Sequence, residues 1–313
     1  MTAPAPAPPP QDFGFGAVVA RESRQRLLNR DGSFNVRRTG LGFFESWSAY
    51  HFLLRVSWPR FLLLLAGGFA AANALFGALY VACGPGALVG PGGNTPGGRF
   101  AQAYFFSVET LATIGYGHVS PRGLAANLVL TVESFVGLLA IALIAGIVFA
   151  RFARPVARIR FSDVAVVAPY RGGTGLMFRI ANMRESELME VGARVLLSRR
   201  RDGGAATDRE FLTLQLERDR VVFFPLTWTV VHPITATSPL HGVSAQELRA
   251  CEAELLIYLT AYDETFSQTV HARSSYRADE VVFDARFAPI VALTEDERAV
   301  RVDVRKLSEI QRL

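Results

Sequence analysis

Lysine is almost missing from this chain of 313 residues: Lys306 is the only one, so arginine supplies nearly all of the 33 basic side chains set against 28 acids, for a formal charge of +5. An excess of that size suits nucleic acid or an anionic membrane surface. The arginines crowd beside long apolar runs, which argues against nucleic acid as a partner. Cysteine is scarce too. Cys83 and Cys251 stand far apart, which excludes a disulfide framework and leaves no spacing for a metal or a redox pair. The histidines, His51, His118, His232, His241 and His271, include no two at metal-ligand spacing. RGGTGLM (171–177) lacks the G-x-G-x-x-G order of a nucleotide-binding loop. With no nucleophile, metal or cofactor constellation, no enzyme and no cofactor is expected. The opening MTAPAPAPPP carries no charge, unlike the start of a secretory signal. Residues 1–39 are expected to form a disordered tail that turns basic.

What the chain has in plenty is apolar sequence, 50% of its residues. Residues 60–82, RFLLLLAGGFAAANALFGALYVA, have no charge after Arg60. As a helix they would reach roughly 34 Å, enough for a hydrocarbon core of about 30 Å. Residues 124–150, LAANLVLTVESFVGLLAIALIAGIVFA, make a second span with one acid, Glu133. An acid there must face protein or a pore rather than lipid. Between the spans, FAQAYFFSVETLA (100–112) is helix-like but too short to cross, as in a re-entrant segment. Arg151, Arg154, Arg158 and Arg160 follow the second span, and Arg55 and Arg60 flank the first. The positive-inside rule therefore puts both termini in the cytoplasm. Ahead of the first span, Phe43, Trp47, Tyr50 and Leu54 share one helical face. Residues 40–57 are thus expected to lie along the interface, with Trp58 and Pro59 turning the chain into the membrane. After Pro155 come short, β-branched, alternating segments such as GLMFRIAN, ARVLLSRR, VVFFPLTWTVV and EVVFDARF. They predict an antiparallel sandwich, interrupted by a helix at 245–253.

The stretch TIGYG (113–117) stands between the short helix and the second span. Its glycines end a helix, and bare backbone beside lipid is costly. Such a segment survives if it lines a wet passage. Backbone carbonyls can replace the water around an ion if successive oxygens face one axis, and glycine permits such a backbone. An extended strand at roughly 3.3 Å per residue would stack them in levels. One chain gives one oxygen per level, so several copies must surround the axis. The Thr113 hydroxyl can add a further ligand.

Thr113, Ile114, Gly115, Tyr116 and Gly117 resemble the potassium-channel signature, with isoleucine where the signature has valine. RVSWPRF (55–61), VFARFARP (148–155), HPITATSPLHG (232–242) and ARSSYRADEVVF (272–283) are similar to segments of the inward-rectifier potassium channels, above all the bacterial ones. The resemblance implies a passive, potassium-selective channel in a bacterial inner membrane. It implies a homotetramer with a slide helix at 40–57, a pore domain at 58–154 and an immunoglobulin-like cytoplasmic sandwich at 155–313. K+ in the filter is the one metal ion implied. Glu109 resembles the family glutamate that braces the filter, although the basic residue many relatives carry near Val119 is missing. Phe149 matches the inner constriction. Ile141 stands where strong rectifiers carry an acid, which argues against tight block by Mg2+ or polyamines. Gly137 is a hinge candidate or a packing glycine. Arg55, Arg60, Arg151, Arg154 and Arg158 are expected to meet anionic phospholipid. Glu190 and Glu264 match acids of the cytoplasmic vestibule. His118, beside the filter, is the best placed of the histidines to sense pH. Two rivals stand: the same pore gated by a small ligand in the β-domain, and a membrane-tethered interaction module that conducts nothing.

Overall fold

The computed structural model describes residues 26–35, 48–92, 95–153, 157–184, 187–200, 209–224, 226–293 and 300–313. Much of the expected tail, Phe43 and Trp47 of the slide helix, and Arg154 lie outside the described residues. The chain divides into two compact units: Thr39–Arg154, and Met1–Arg38 together with Pro155–Leu313.

In the first unit a short helix, α1 (Ala49–Arg55), starts at Ser48. Two residues after its capping Val56, the long helix α2 (Trp58–Ala82) begins. Trp58 and Pro59 are its first residues rather than a turn before it. Proline suits a first helical turn, where its missing N–H would have no partner. After the two-residue strand β1 (Leu88–Val89) comes α3 (Pro96–Leu111). It starts four residues before the expected 100, because Thr95 Oγ1 accepts from Gly98 N at 3.0 Å and caps it. β2 (Ser120–Pro121) pairs antiparallel with β1. α4 (Leu124–Phe152) follows as one helix of 29 residues, about 43 Å long. α2 and α4 are both long and apolar enough to cross a membrane.

α3 approaches both long helices closely, and glycines make room for it. A Cβ on Gly77 of α2 would lie 3.2 Å from Tyr104 Cα, and one on Gly137 of α4 would lie 2.8 Å from the Leu111 carbonyl oxygen. Phe76, Tyr80, Ala103, Phe106, Leu111 and Ala126 form the buried cluster around these contacts.

Among the described residues, the second unit is built of strands with one short α-helix. Its strands are β3 (Ile159–Phe161), β4 (Ala165–Tyr170), β5 (Gly173–Asn182), β6 (Leu188–Arg200), β7 (Arg209–Leu214), β8 (Arg220–Phe224) and β9 (Thr227–Ile234). Helix α5 (Ala245–Ala250) precedes β10 (Glu254–Asp263), β11 (Gln268–Arg277), β12 (Val281–Phe283) and β13 (Ala285–Phe287). β14 (Val291–Leu293), β15 (Val300–Val302) and β16 (Ile310–Arg312) close the chain. One sheet runs β11–β10–β6–β7 with β8 also on β6, and the other runs β12–β4–β5–β3 with β9 also on β5. Val191, Val195 and Leu197 of β6 share a core with Phe178 and Ile180 of β5. This is the sandwich expected from the alternating pattern, with three differences. VVFFPLTWTVV is not one strand: β8 ends at Phe224, β9 begins at Thr227, and the two belong to different sheets; the sequence between them includes a proline, a type with no N–H for a ladder. EVVFDARF splits likewise, and its β12 pairs parallel with β4, so the sandwich is not purely antiparallel. The helix expected at 245–253 ends at Ala250.

Candidate functional site

The segment after α3 is not the extended strand expected of it. Thr113, Gly115 and Gly117 have φ of 58°, 59° and 81°, while Ile114 and Tyr116 between them do not. Left-handed and ordinary residues thus alternate. In an ordinary strand successive peptide groups point to opposite sides; alternation of this kind turns them to one side. Gly115 and Gly117 adopt it freely, whereas Thr113, a β-branched residue, is held there at a cost in strain. The donors show which side is the back. Ile114 N donates to the Glu109 carbonyl at 2.7 Å, and Gly115 N reaches the same oxygen at 3.3 Å. In a trans peptide the C=O opposes the following N–H. The carbonyls of Thr113 and Ile114 therefore face away from α3. The C-terminal end of α3, with its partial negative charge, stops at Leu111 beside this segment. Both features favour a cation.

Glu109 holds the segment twice: by its backbone, and by its side chain. Its Oε1 lies 3.4 Å from His118 Nε2. His118 thus stands beside Glu109, one residue before the position where the base of relatives is missing, a pairing that the sequence did not disclose. Further out, Gln102 Nε2 donates to the carbonyls of Gly90 and Pro91, each at 3.0 Å, which ties α3 to the residues that follow β1. The opposite face of the segment is bare: Thr113 to His118 are all exposed in a single chain.

Ile141 and Phe149 are also exposed on α4, Phe149 by 73%. Phe152 is 66% exposed as well, with its ring 4.9 Å from that of Trp58 between centroids. Gly137 lies in an unbroken helix, against Leu111. Close packing against Leu111 accounts for a glycine at this position.

The arginines divide. Arg55, Arg60 and Arg158 are exposed. Arg151 has another occupation. Its guanidinium donates to Val56 O at 2.7 Å and to Leu53 O. It also stacks over the rings of Trp58 and Phe61, at 4.6 and 4.5 Å from their centroids. These bonds hold its guanidinium at the elbow between α1 and α2, and Nε is buried without a hydrogen-bond partner. Glu190 and Glu264 occupy the same end of the β6–β10 pair, where Leu188 stands opposite Asp263. Both are exposed, and Arg220 Nη1 lies 3.9 Å from Glu190.

Glu133 is fully buried among the three helices. Tyr80 donates to its Oε2 at 2.6 Å, and Ser107 Oγ touches Oε1. Ser107 Oγ is also 2.9 Å from Asn73 Oδ1, and Asn73 Nδ2 donates to Phe69 O at 2.7 Å. The acid faces protein, not an ion path.

Residues 159–313 match the family described as "Inward rectifier potassium channel C-terminal domain", and residues 69–154 match the one described as "Ion channel". The chain is 39% identical to the inward rectifier potassium channel Kirbac3.1 of Paramagnetospirillum magnetotacticum, over 94% of this chain and 99% of that one. It is 31% identical to the ATP-sensitive inward rectifier potassium channel 12 of Gallus gallus, over 93% of this chain and 73% of the relative. It is 30% identical to the human inward rectifier potassium channel 18, over 93% and 72%.

Proposed function

The chain belongs to the inward rectifier potassium channel family, and from that premise we propose how it conducts potassium. It is a membrane channel that passes K+ passively; it catalyses no reaction and needs no organic cofactor. Four copies surround one axis. Their Thr113–Gly117 segments supply rings of carbonyl oxygen that replace the ion's water, with the Thr113 hydroxyl at one end. The observation that carries this reading is the tie of Ile114 N and Gly115 N to the Glu109 carbonyl, which turns the oxygens the other way. The bare face of the segment supports assembly, because such backbone is not left to lipid.

Both termini lie in the cytoplasm of a bacterial cell, and the filter opens outward. Phe149, unpacked within its own chain, forms an apolar ring at the inner end of the passage, and Ile141 a second ring deeper in. Arg55, Arg60, Arg154 and Arg158 attract anionic phospholipid, each by about 1 kcal/mol near the surface. Glu190 and Glu264 raise the cation concentration on the cytoplasmic side.

The test is rubidium uptake into liposomes carrying the purified protein, with cross-linking to count subunits. Uptake that prefers rubidium over sodium, through four-chain assemblies, is expected. A tetramer without uptake would favour the tethered-module reading. Ligand gating has one observation in its favour. A cavity of about 480 Å3 lies between the sheets, lined by Leu176, Leu240, Leu248, Tyr276 and Phe283 with His241. A small molecule that binds the full channel and changes uptake would support it.

A further inference from the structure

The hydrogen bonds around Glu133 do not balance if it is ionised. Asn73 Nδ2 faces the Phe69 carbonyl at 2.7 Å, and a carbonyl can only accept, so the amide is fixed with Oδ1 toward Ser107. Ser107 Oγ then has two oxygen neighbours, Asn73 Oδ1 and Glu133 Oε1, and one proton to give. With a carboxylate at 133, one of those two contacts sets acceptor against acceptor. Flipping the Asn73 amide only moves the conflict, since Oδ1 would then face the Phe69 carbonyl. Adding one proton to Glu133 resolves every contact. Oε1–H donates to Ser107 Oγ, Ser107 donates to Asn73 Oδ1, Asn73 Nδ2 donates to Phe69 O, and Oε2 accepts from Tyr80.

We infer that Glu133 is a neutral carboxylic acid whose proton completes a hydrogen-bonded chain from α4 through α3 to α2. Tyr80 is the ionisable side chain that touches it; Ser107 and Asn73 carry no charge. Unmade hydrogen bonds are expensive in so buried a place. Glu133 is therefore a positioning residue. Through Ser107, two residues before Glu109, it fixes the short helix whose carbonyl anchors the filter. Its effect on conduction rests on the function proposed above; its protonation does not.

Infrared spectra of the assembled protein test the protonation. The wild type is expected to show a protonated-carboxyl C=O band that persists above about pH 7, where exposed carboxylates are ionised, and that Glu133→Gln removes. No difference between the two proteins at that band would overturn the proposal. Rubidium uptake by intact tetramers tests the role. Glu133→Gln keeps a donor for Ser107 and an acceptor for Tyr80, so its uptake should stay within about twofold of wild type, whereas Glu133→Met and Ser107→Ala should lose about fivefold or more. A Gln variant as damaged as the Met variant would show that the negative charge is what matters, and would also overturn the proposal. Should Glu133→Met fail to assemble, the infrared band and the Gln variant still decide. Absence of uptake in every protein, with the band present, would count against the conducting role and for the neutral acid.

Discussion

Leu63, on the first long helix, is 73% exposed, and Leu197, on β6, is completely buried. Polar groups follow the opposite order. Asn73, Ser107 and Glu133 are completely buried in the helical unit, while the side chains of Glu190 and Arg220 in the sandwich are 65% and 66% exposed. The helical unit turns its apolar side chains outward to lipid and holds its helices together with glycine contacts and a buried polar chain. Lipid offers no hydrophobic drive to bring helices together, so close packing and hydrogen bonds must do it. The sandwich hides its apolar side chains from water and is held by that burial. It too buries some polar groups, Glu254 among them. Glu254 accepts from Leu27 N at 2.9 Å and Leu28 N at 3.2 Å, which docks the segment at 26–35.

Substitutions in both units would break or sharpen this contrast. Leu197→Ala should destabilise the sandwich by about 2–5 kcal/mol, read by denaturant unfolding of the full chain. Leu63→Ala should change stability by less than about 0.5 kcal/mol in detergent, and an equal loss at both positions would break the comparison. Gly137→Ala should cost about 1–3 kcal/mol, because its Cβ meets backbone at Leu111 rather than a movable side chain. Gly68→Ala, with open space around it, should be silent. If Gly137→Ala alters gating and leaves stability intact, the residue is a hinge after all. Arg151→Lys should cost about 1–2 kcal/mol, by loss of the flat fork and of the stacking on Trp58 and Phe61. It should leave the dependence of uptake on anionic lipid unchanged, whereas Arg55→Gln with Arg60→Gln should reduce that dependence and leave stability alone. The smallest effect concerns His232. Burial holds its imidazolium below the usual pKa, while the ring bonds Gln215 O at 2.5 Å and Ser238 Oγ at 2.7 Å. The unfolded chain therefore binds more protons than the folded one below about pH 6.5. Stability of the sandwich should be full above that value and fall as pH drops through it, and His232→Gln should flatten this part of the profile.

The long helices were legible in the sequence because a continuous uncharged run of more than twenty residues has few other uses. The segment at 113–117 stood out because its glycines interrupt apolar sequence where interruption is costly. Its backbone was not: an extended strand was the natural expectation, and the alternation appears only once the N–H groups of Ile114 and Gly115 share one carbonyl. The pairing of Glu109 with His118 depends on how the filter doubles back, which spacing along the chain does not reveal. Charge patterning marked Arg151 as basic and near a helix end. It could not say that two carbonyls and two rings surround it. In the sandwich, alternation gave the strands and the inward faces. The parallel pairing of β4 with β12 escaped it, because pairing partners are set by the whole fold rather than by any one segment. For Glu133 the sequence left protein or a pore open, because its partners come from two other helices.

The central claim is that a left-handed backbone at alternate filter residues creates the ion-binding oxygens. Rubidium uptake by tetramers carrying alanine at Gly117 in its two mirror forms tests it most directly. L-alanine opposes the observed φ of 81°, and D-alanine favours it at the same volume. For the L form, nothing lies within 4 Å of a Cβ built there in the single chain. The account predicts that the D-alanine tetramer takes up rubidium in preference to sodium and that the L-alanine tetramer does not. Equal selective uptake by both, or loss in both, would contradict it.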